Sequence, residues 1–378
     1  MTTTAEPAAR GTDVRLPYDG LLDLATAVFA ARGMPRARAS AAAEALLYGD
    51  VTGMRSHGLV NLTRLYLPLF DDNRADPAAD LEIVADRRAA VLVDARRSLG
   101  LWAAGEAMDM AVARSAEYGV GMVSVRGGTH FGCAGHHTRR AVRQGAVGVL
   151  LSNCGRQRIA RPPGGRSAML GTNPLSVAAP AGPGLPPFVL DMSTTAVPTG
   201  KVREAARAGR GIPEGWLQDA SGQPVTDPAA LDRGEGFLMW LGGRPETGAF
   251  KGYGLALVVE VLAALVAGAG LGPAPEAFGG DGSPTGRDDD IGFLALAVQP
   301  AALRPREDFL SDAAGMFQSL LDCPPLQAGS PVGYPGTREA AYEEDARRHG
   351  VAVSEALYAE LGEVAETIGA RAPRVVAP

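Results

Sequence analysis

Apolar residues recur three and four positions apart over residues 18–31 and 36–52, which predicts two helices separated by a Gly-Met-Pro break. Two short strands are expected at Leu81–Val84 and Ala89–Val93. Ser98–Tyr118 reads as a helix, with Leu99, Leu101, Ala104, Met108 and Ala111 along one side. Then come "VGMVSVRG" as a buried strand, "CAGHHTRRAVRQG" as a helix ending at Gly145, and "VGVLLSNC" as another buried strand. "GTNPLSVAAPA" and "FVLDMS" continue the strands, and a helix is expected from Thr195 to Ala208. A Gly/Pro-rich surface stretch reaches Thr247, before a buried helix at 252–268 and a flexible loop, "GGDGSPTGRDDD". "IGFLALAVQP" is a strand, Glu307–Leu321 a helix, and Glu339 to Gly369 a mostly helical tail. No internal repeat is visible. The pattern predicts an α/β core with helices from both chain ends beside it.

Two of these segments invite other readings. "GYGLALVVEVLAALVAGAGLG", residues 252–272, is the one membrane-like stretch, but Glu260 interrupts it and the uncharged remainder falls short of the ~20 residues a bilayer requires. The run of three aspartates that ends the 279–290 loop, Asp288–Asp290, could hold a cation, although a solvated loop is the plainer explanation.

Composition narrows the function. The 378 residues are 46% hydrophobic and 21% charged, with a net charge of −6, so no general field draws the chain to nucleic acid or an anionic membrane. Cys133, Cys154 and Cys323 form neither a disulfide nor a zinc pattern, and a reducing cytoplasm is the expected location. "MTTTAEPAARGTDVRLPYDG" lacks the apolar run of a signal peptide and reads as a frayed leader.

The chemistry concentrates in a few places. A Rossmann fingerprint is missing: "GAGLG" at 268–272 follows a helix rather than a strand. Ser56-His57-Gly58 offers an imidazole that exchanges a proton near neutral pH, a serine to orient it and a glycine that admits a ligand; a helix-end cap is the plainer explanation. His130 follows a buried strand and is surrounded by Gly127, Gly128, Gly132 and Gly135. With His136 and His137 it could suggest a metal site, but adjacent histidines point to different helix faces, and no metal is expected. Arg156, Arg158, Arg161 and Arg166 lie on one loop and suit a carboxylate or phosphate, or simply water. Ser193, Thr194 and Lys251 stand where a strand or loop leads into a helix, a place suited to phosphate.

The ordered set "SHG", "THFGCAG", "LGTNPLSVAAP", "LDMSTTAV..GKV", "IPEGW..DASGQPVTDP", "KGYGLAL..E.LA" and "YPGTRE" resembles the type-2 malate/L-lactate dehydrogenase family over nearly the whole chain. The resemblance implies an NAD- or NADP-dependent oxidoreductase acting on 2-hydroxy or 2-oxo acids, or on cyclic imino acids. It implies a family-specific, non-Rossmann α/β fold with a central mixed sheet, and a homodimer with sites near the subunit interface. It also implies a helical domain of residues 1–85 completed by 325–378, beside a central domain of 86–324. His57 would be the proton donor or acceptor, assisted by Ser56, and His130 would lie beside the nicotinamide. Asn153, Cys154, Thr172, Asn173, Pro174, Asp191, Ser193, Thr194, Thr195, Lys251, Pro335, Gly336 and Thr337 would contact the cofactor. The arginine loop hints at a 2′-phosphate and so favours NADPH over NADH.

The chain departs from the family where substrate would be held. The family usually reads Ser-His-Gly-x-x-Arg, and here Asn61 takes the place of the arginine that grips a carboxylate. Replacing a charged bidentate contact with a neutral one loses on the order of 1–3 kcal/mol. Arg64 and Tyr66 remain, Phe250 replaces a usual histidine, and Phe293 replaces another. Arg64, Phe250 and Arg158, with Asn61, are therefore the expected substrate contacts. The expected activity is reduction of a C=O or C=N in a 2-oxo-acid-like or larger specialised substrate, in secondary metabolism. The alternative is a non-redox cyclase, isomerase or binding protein on the same scaffold.

Overall fold

The helical pair expected near the start of the chain forms with the anticipated bounds. The computed structural model describes residues 13–279 and 285–376. In chain order, Asp13–Leu16 is a strand (β1), Tyr18–Ala31 a helix (α1) and Arg36–Val51 a second helix (α2). Pro17 and Pro35 stand at their N-caps, where a missing N–H interrupts no helical bond. A 3-10 turn at Arg55–His57 and a π-helical turn at Leu62–Tyr66 lead into Leu67–Asp71 (α3). Then follow Glu82–Arg87 (β2), Ala90–Asp94 (β3), Gly100–Tyr118 (α4), Val120–Gly128 (β4), Ala134–Arg143 (α5) and Val147–Ser152 (β5). Leu175–Ala179 (β6), Phe188–Met192 (β7) and Thr199–Arg207 (α6) come next. The chain continues through Leu217–Gln218 (β8), Pro224–Val225 (β9), Phe237–Leu238 (β10) and Ala249–Val259 (α7). It ends with Ile291–Val298 (β11), Arg306–Leu321 (α8), Thr337–His349 (α9), Val351–Ser354 (β12) and Glu355–Thr367 (α10).

Seven strands form one mixed sheet in the order β2-β3-β4-β11-β5-β6-β7, in which only β3 and β4 run parallel. The late strand β11 inserts antiparallel between β4 and β5, and Phe293 and Ala295 on it are fully buried. An alternating or continuous apolar run of this kind suits a strand covered on its faces. Helix α4 packs its alanine-rich side (Ala103, Ala104, Ala107, Ala111) against this sheet, sharing one core with Val123, Val125 and Leu150. A second core draws on both ends of the chain: Leu21, Val28 and Phe29 of α1 and Leu46 and Leu47 of α2 pack with Val351, Val353, Leu361 and Ala365.

Several expectations change. Residues 13–16 are not frayed: β1 pairs antiparallel with β12, Leu16 opposite Val351, and β12 interrupts the tail expected to be helical. The rest of the proposed leader, residues 1–12, lies outside the described residues. Helix α6 begins at Thr199 rather than Thr195, because Pro198 caps it and Thr195 bridges to Trp240. The Gly/Pro-rich stretch is more than surface: β10-β8-β9 form a small sheet that buries Leu217, Phe237, Leu238 and Trp240. Two-residue strands leave too little periodicity to read.

The 252–268 helix is buried on one side only. Gly252, Ala256, Val259 and Ala263 face the protein, whereas Leu255, Val258, Leu265 and Val266 are exposed. Its α-helical part gives way to a π-helical turn at Glu260–Leu265. Among the described residues, no helix is long and apolar enough to cross a membrane. In the aspartate loop, residues 280–284 lie outside the described residues, and among the described residues Asp288–Asp290 form no metal-ligand cluster and are engaged by protein donors. Arg74 donates to Asp288 at 2.6 Å and to Asp289 at 2.7 Å, and Asp290 accepts from the Gly127 N–H at 3.0 Å.

Candidate active site

The turn that carries His57 is pressed against the end of α2. Asp50 Oδ2 accepts the Leu59 N–H at 2.7 Å, and a Cβ on Gly58 would stand 2.1 Å from that same oxygen. A Cβ on Gly49 would lie 2.8 Å from the His57 carbonyl carbon, so both glycines are required for this close approach. Burial raises the Asp50 carboxyl to about 7 against the lowering effect of the Leu59 N–H. Asp50 was not singled out by the sequence, since nothing local ties it to His57.

His130 reaches the same place from the sheet. It follows β4, and its segment lies across the start of α4, where Thr129 Oγ1 accepts the Gly100 N–H at 2.8 Å. A Cβ on Gly100 would come within 2.1 Å of the Thr129 carbonyl oxygen, which explains a glycine at that helix start. The two imidazoles stack with centroids 6.1 Å apart and planes 21° from parallel. Ser56 Oγ lies 3.0 Å from His57 Nδ1, and Nε2 has no protein partner among the described residues. Burial, and then the neighbouring His130, bring His57 down to about 4, and burial likewise lowers His130. Both rings are neutral at pH 7.

The expected substrate contacts are placed differently from one another. Asn61 Nδ2 donates to the Ser56 carbonyl at 2.9 Å, bracing the His57 turn. Arg64 pairs with Glu360 at 3.4 Å. Arg158 is buried and donates from Nε to the Gly272 carbonyl at 2.7 Å, so it ties two loops together. Of its neighbours, Arg156 faces Asp290 and Arg161 stacks on Phe237, while Arg166 is exposed. Phe250 is 66% exposed on the outer side of α7 and walls nothing within this chain.

The expected cofactor residues fall into three groups. In the first, Asn153 is wholly used internally: Nδ2 donates to Glu260 Oε1 and the Gly270 carbonyl, and Oδ1 accepts from the Gly155 and Gly292 amides. Asn173, with φ 37°, donates to Glu260 Oε2 at 2.8 Å, and its own Oδ1 is buried without a protein partner. Cys154 Sγ lies 3.5 Å from Thr172 Oγ1, and the Pro174 carbonyl accepts the Ser152 N–H. Glu260, read in the sequence only as an interruption, is the centre of this group.

In the second group, Thr194 donates to the Thr172 carbonyl, Ser193 to that of Thr195, and Thr195 to that of Val197. Lys251 is exposed near the start of α7, with no ion pair among the described residues. In the third, Asp191 Oδ2 accepts the Gly135 N–H at 2.7 Å at the N-terminal end of α5, and burial raises its carboxyl to about 6. Tyr48 Oη is buried beside Gly135, and the Arg139 guanidinium lies over its ring at 5.4 Å. The Pro335 carbonyl accepts the Val189 N–H, Gly336 (φ 107°) turns the chain, and Thr337 Oγ1 donates to the Tyr334 carbonyl. His137 Nε2 donates to the Phe131 carbonyl, and among the described residues no three His, Cys, Asp or Glu side chains converge as metal ligands.

A fold of this topology has counterparts of known kind, and they define an NAD(P)-dependent oxidoreductase. The family model described as malate/L-lactate dehydrogenase matches residues 16–362, and the chain belongs to that family. It is 34% identical over 340 residues to a (2R)-3-sulfolactate dehydrogenase (NADP(+)) of Chromohalobacter salexigens, covering 89% of this chain and 94% of that protein. It is 30% identical to a Delta(1)-pyrroline-2-carboxylate/Delta(1)-piperideine-2-carboxylate reductase of Pseudomonas putida, covering 91% of this chain and 95% of that one. The crystal structure of malate dehydrogenase from Entamoeba histolytica superposes with a TM-score of 0.88 at 25% identity, over 96% of this chain and all of that one.

Proposed function

We propose that this oxidoreductase reduces the C=O or C=N group of a 2-oxo-acid-like substrate larger than pyruvate, with His57 exchanging the proton and NADPH preferred to NADH. The observation that carries the reading is the His57–His130 stack, in which His57 Nε2 has no protein partner among the described residues. A carbonyl or imine gains a hydride at carbon and a proton at the heteroatom, and an imidazole with one nitrogen oriented by Ser56 suits the second task. The name of the sulfolactate relative supports NADP(H), and that of the carboxylate reductase supports a C=N substrate.

The residues present suit a bound dinucleotide. One buried polar atom among the expected contacts, Asn173 Oδ1, lacks a protein partner among the described residues, and Lys251 has no ion pair among them and suits phosphate. Asn153, Thr194 and Thr195 spend their side chains internally, so their contribution to such a ligand is main-chain shape. When bound, the nicotinamide supplies the hydride.

Asn61 sets the substrate apart. It is neutral and already donates to the Ser56 carbonyl, so no guanidinium grips a simple carboxylate there. Such a preference fits a specialised, secondary-metabolic role. With NADPH as reductant, pyruvate and oxaloacetate should turn over at least ~10-fold more slowly than bulkier oxo acids or cyclic imines. A panel assay following absorbance at the nicotinamide band checks this, and brisk use of either small acid would defeat it. The same titration with NADPH fluorescence separates the enzyme from a non-redox protein on this scaffold.

We also propose a homodimer with Phe250, Val258, Val261, Leu265 and Val266 in its interface. These residues are each 45% or more exposed on one side of α7 and the turn after it, a contiguous apolar face of the sort that proteins cover. Sedimentation equilibrium should give twice the chain mass, and Val258→Glu should reduce it to one. The two units proposed, 1–85 with 325–378 and 86–324, meet at β2, which belongs to the central sheet. Three cysteines without a disulfide support a reducing, cytoplasmic location.

A further inference from the structure

The second imidazole has partners that the first lacks. Tyr66 Oη lies 2.8 Å from His130 Nδ1, and the backbone N–H of Gly132 points at the same nitrogen from 3.2 Å. An amide N–H can only donate, so Nδ1 must present its lone pair. A neutral imidazole then carries its proton on Nε2. Burial disfavours the charged ring, and burial also keeps the Tyr66 phenol protonated, since its own ionisation is pushed well up. Tyr66 has no freedom to turn away: it is fully buried, and Phe29 meets its ring edge-on at 6.4 Å.

Resting on the enzymatic reading above, we infer that Tyr66 is a positioning residue: with the Gly132 amide it fixes His130 as the Nε2-protonated tautomer, so that His130 serves as a hydrogen-bond donor to the reacting group and His57 alone exchanges the proton. The two stacked rings are therefore not interchangeable. His57 has a hydroxyl at Nδ1, which can donate or accept, so its Nε2 is able to change state during the reaction. His130 has an obligate donor at Nδ1 and is held in one state. A fixed N–H aimed at an oxygen or nitrogen that gains negative charge stabilises the transition state without itself losing a proton.

Nitrogen-15 spectra of the histidine rings in the cofactor-free protein test this directly, with the His130 signals assigned by their loss in His130→Gln. Nε2 should be protonated and Nδ1 unprotonated from pH 6 to 8; a protonated Nδ1 overturns the inference. Tyr66→Phe keeps the ring and removes the hydroxyl. It should lower kcat about 10-fold, admit some of the other tautomer, and leave the dissociation constant for NADPH unchanged. Unchanged turnover with an unchanged spectrum would remove Tyr66 from the role. His130→Gln places an amide N–H near the former Nε2 and should retain more turnover than His130→Asn, and the reverse order counts against a donor at Nε2. The ring spectrum is read without substrate or cofactor, so failure of the enzymatic reading and failure of the tautomer assignment appear in different measurements.

Discussion

His57→Ala should lower turnover at least ~100-fold while leaving NADPH binding nearly intact. The ring it removes contributes no internal hydrogen bond beyond the one to Ser56, and the turn itself is held by Asp50 to the Leu59 N–H and by Asn61 to the Ser56 carbonyl. The backbone should survive the substitution. Stopped-flow turnover and nicotinamide fluorescence measure the two quantities separately, and parallel loss of both would make His57 structural. The pH dependence follows from the direction of its shift. His57 is held down to about 4, so in the free protein it is neutral and able to accept a proton through the whole range from 4 to 6.5 where an ordinary histidine would be charged. For oxidation of a hydroxy acid, kcat/KM should hold its plateau well below pH 6.5 and fall towards pH 4. In stability terms the unfolded chain takes up that proton first, so acidification from 6.5 towards 4 lowers the stability of the fold through this group.

Glu260→Ala should destabilise the central sheet region by on the order of 2–3 kcal/mol. Its carboxylate accepts Asn153 Nδ2 at 3.2 Å, Asn173 Nδ2 at 2.8 Å and the Gly272 N–H at 2.8 Å. Truncation leaves the Gly272 N–H without its acceptor, and leaves the asparagines the Gly270 and Ala256 carbonyls. Glu260→Gln retains one acceptor oxygen but brings an amide that meets donors, so it should recover only part of the loss. Urea denaturation followed by far-UV circular dichroism checks both, and a change under 1 kcal/mol for the alanine variant would show that water replaces the carboxylate. Because the same asparagines lie in the segments expected at the cofactor, loss of stability should be accompanied by weaker NADPH binding.

The long elements were legible because each carries many repeats of its period. α1, α2, α4 and β11 all appear within a few residues of where the apolar spacing put them. Short elements were not: β1 and β12 are four residues each, and each is defined by the other. His57 and His130 could be picked out because glycines lie beside them, and the structure sets their rings 6.1 Å apart. What holds them there could not be read. Asp50, Tyr66 and Glu260 are ordinary residues in ordinary helical spacing, and their roles exist only through contacts between distant segments. Arginines misled in the opposite direction: Arg158 has the chemistry to bind an anion, yet a carbonyl of another loop already occupies its Nε.

The union of β1 with β12 bears on how the molecule is made. Arg15 and Asp345 pair across 330 positions of sequence, and the helices that support the His57 turn share their core with α10. Part of the apolar side of α1 and α2 is covered only by Val351, Val353, Leu361 and Ala365, which follow them in the chain by about three hundred residues. Every strand of the central sheet lies before Val351, whereas the core that supports the proton-exchanging turn is complete only with the residues after it, and chains stopped short of Val351 should be inactive however well their sheet has formed.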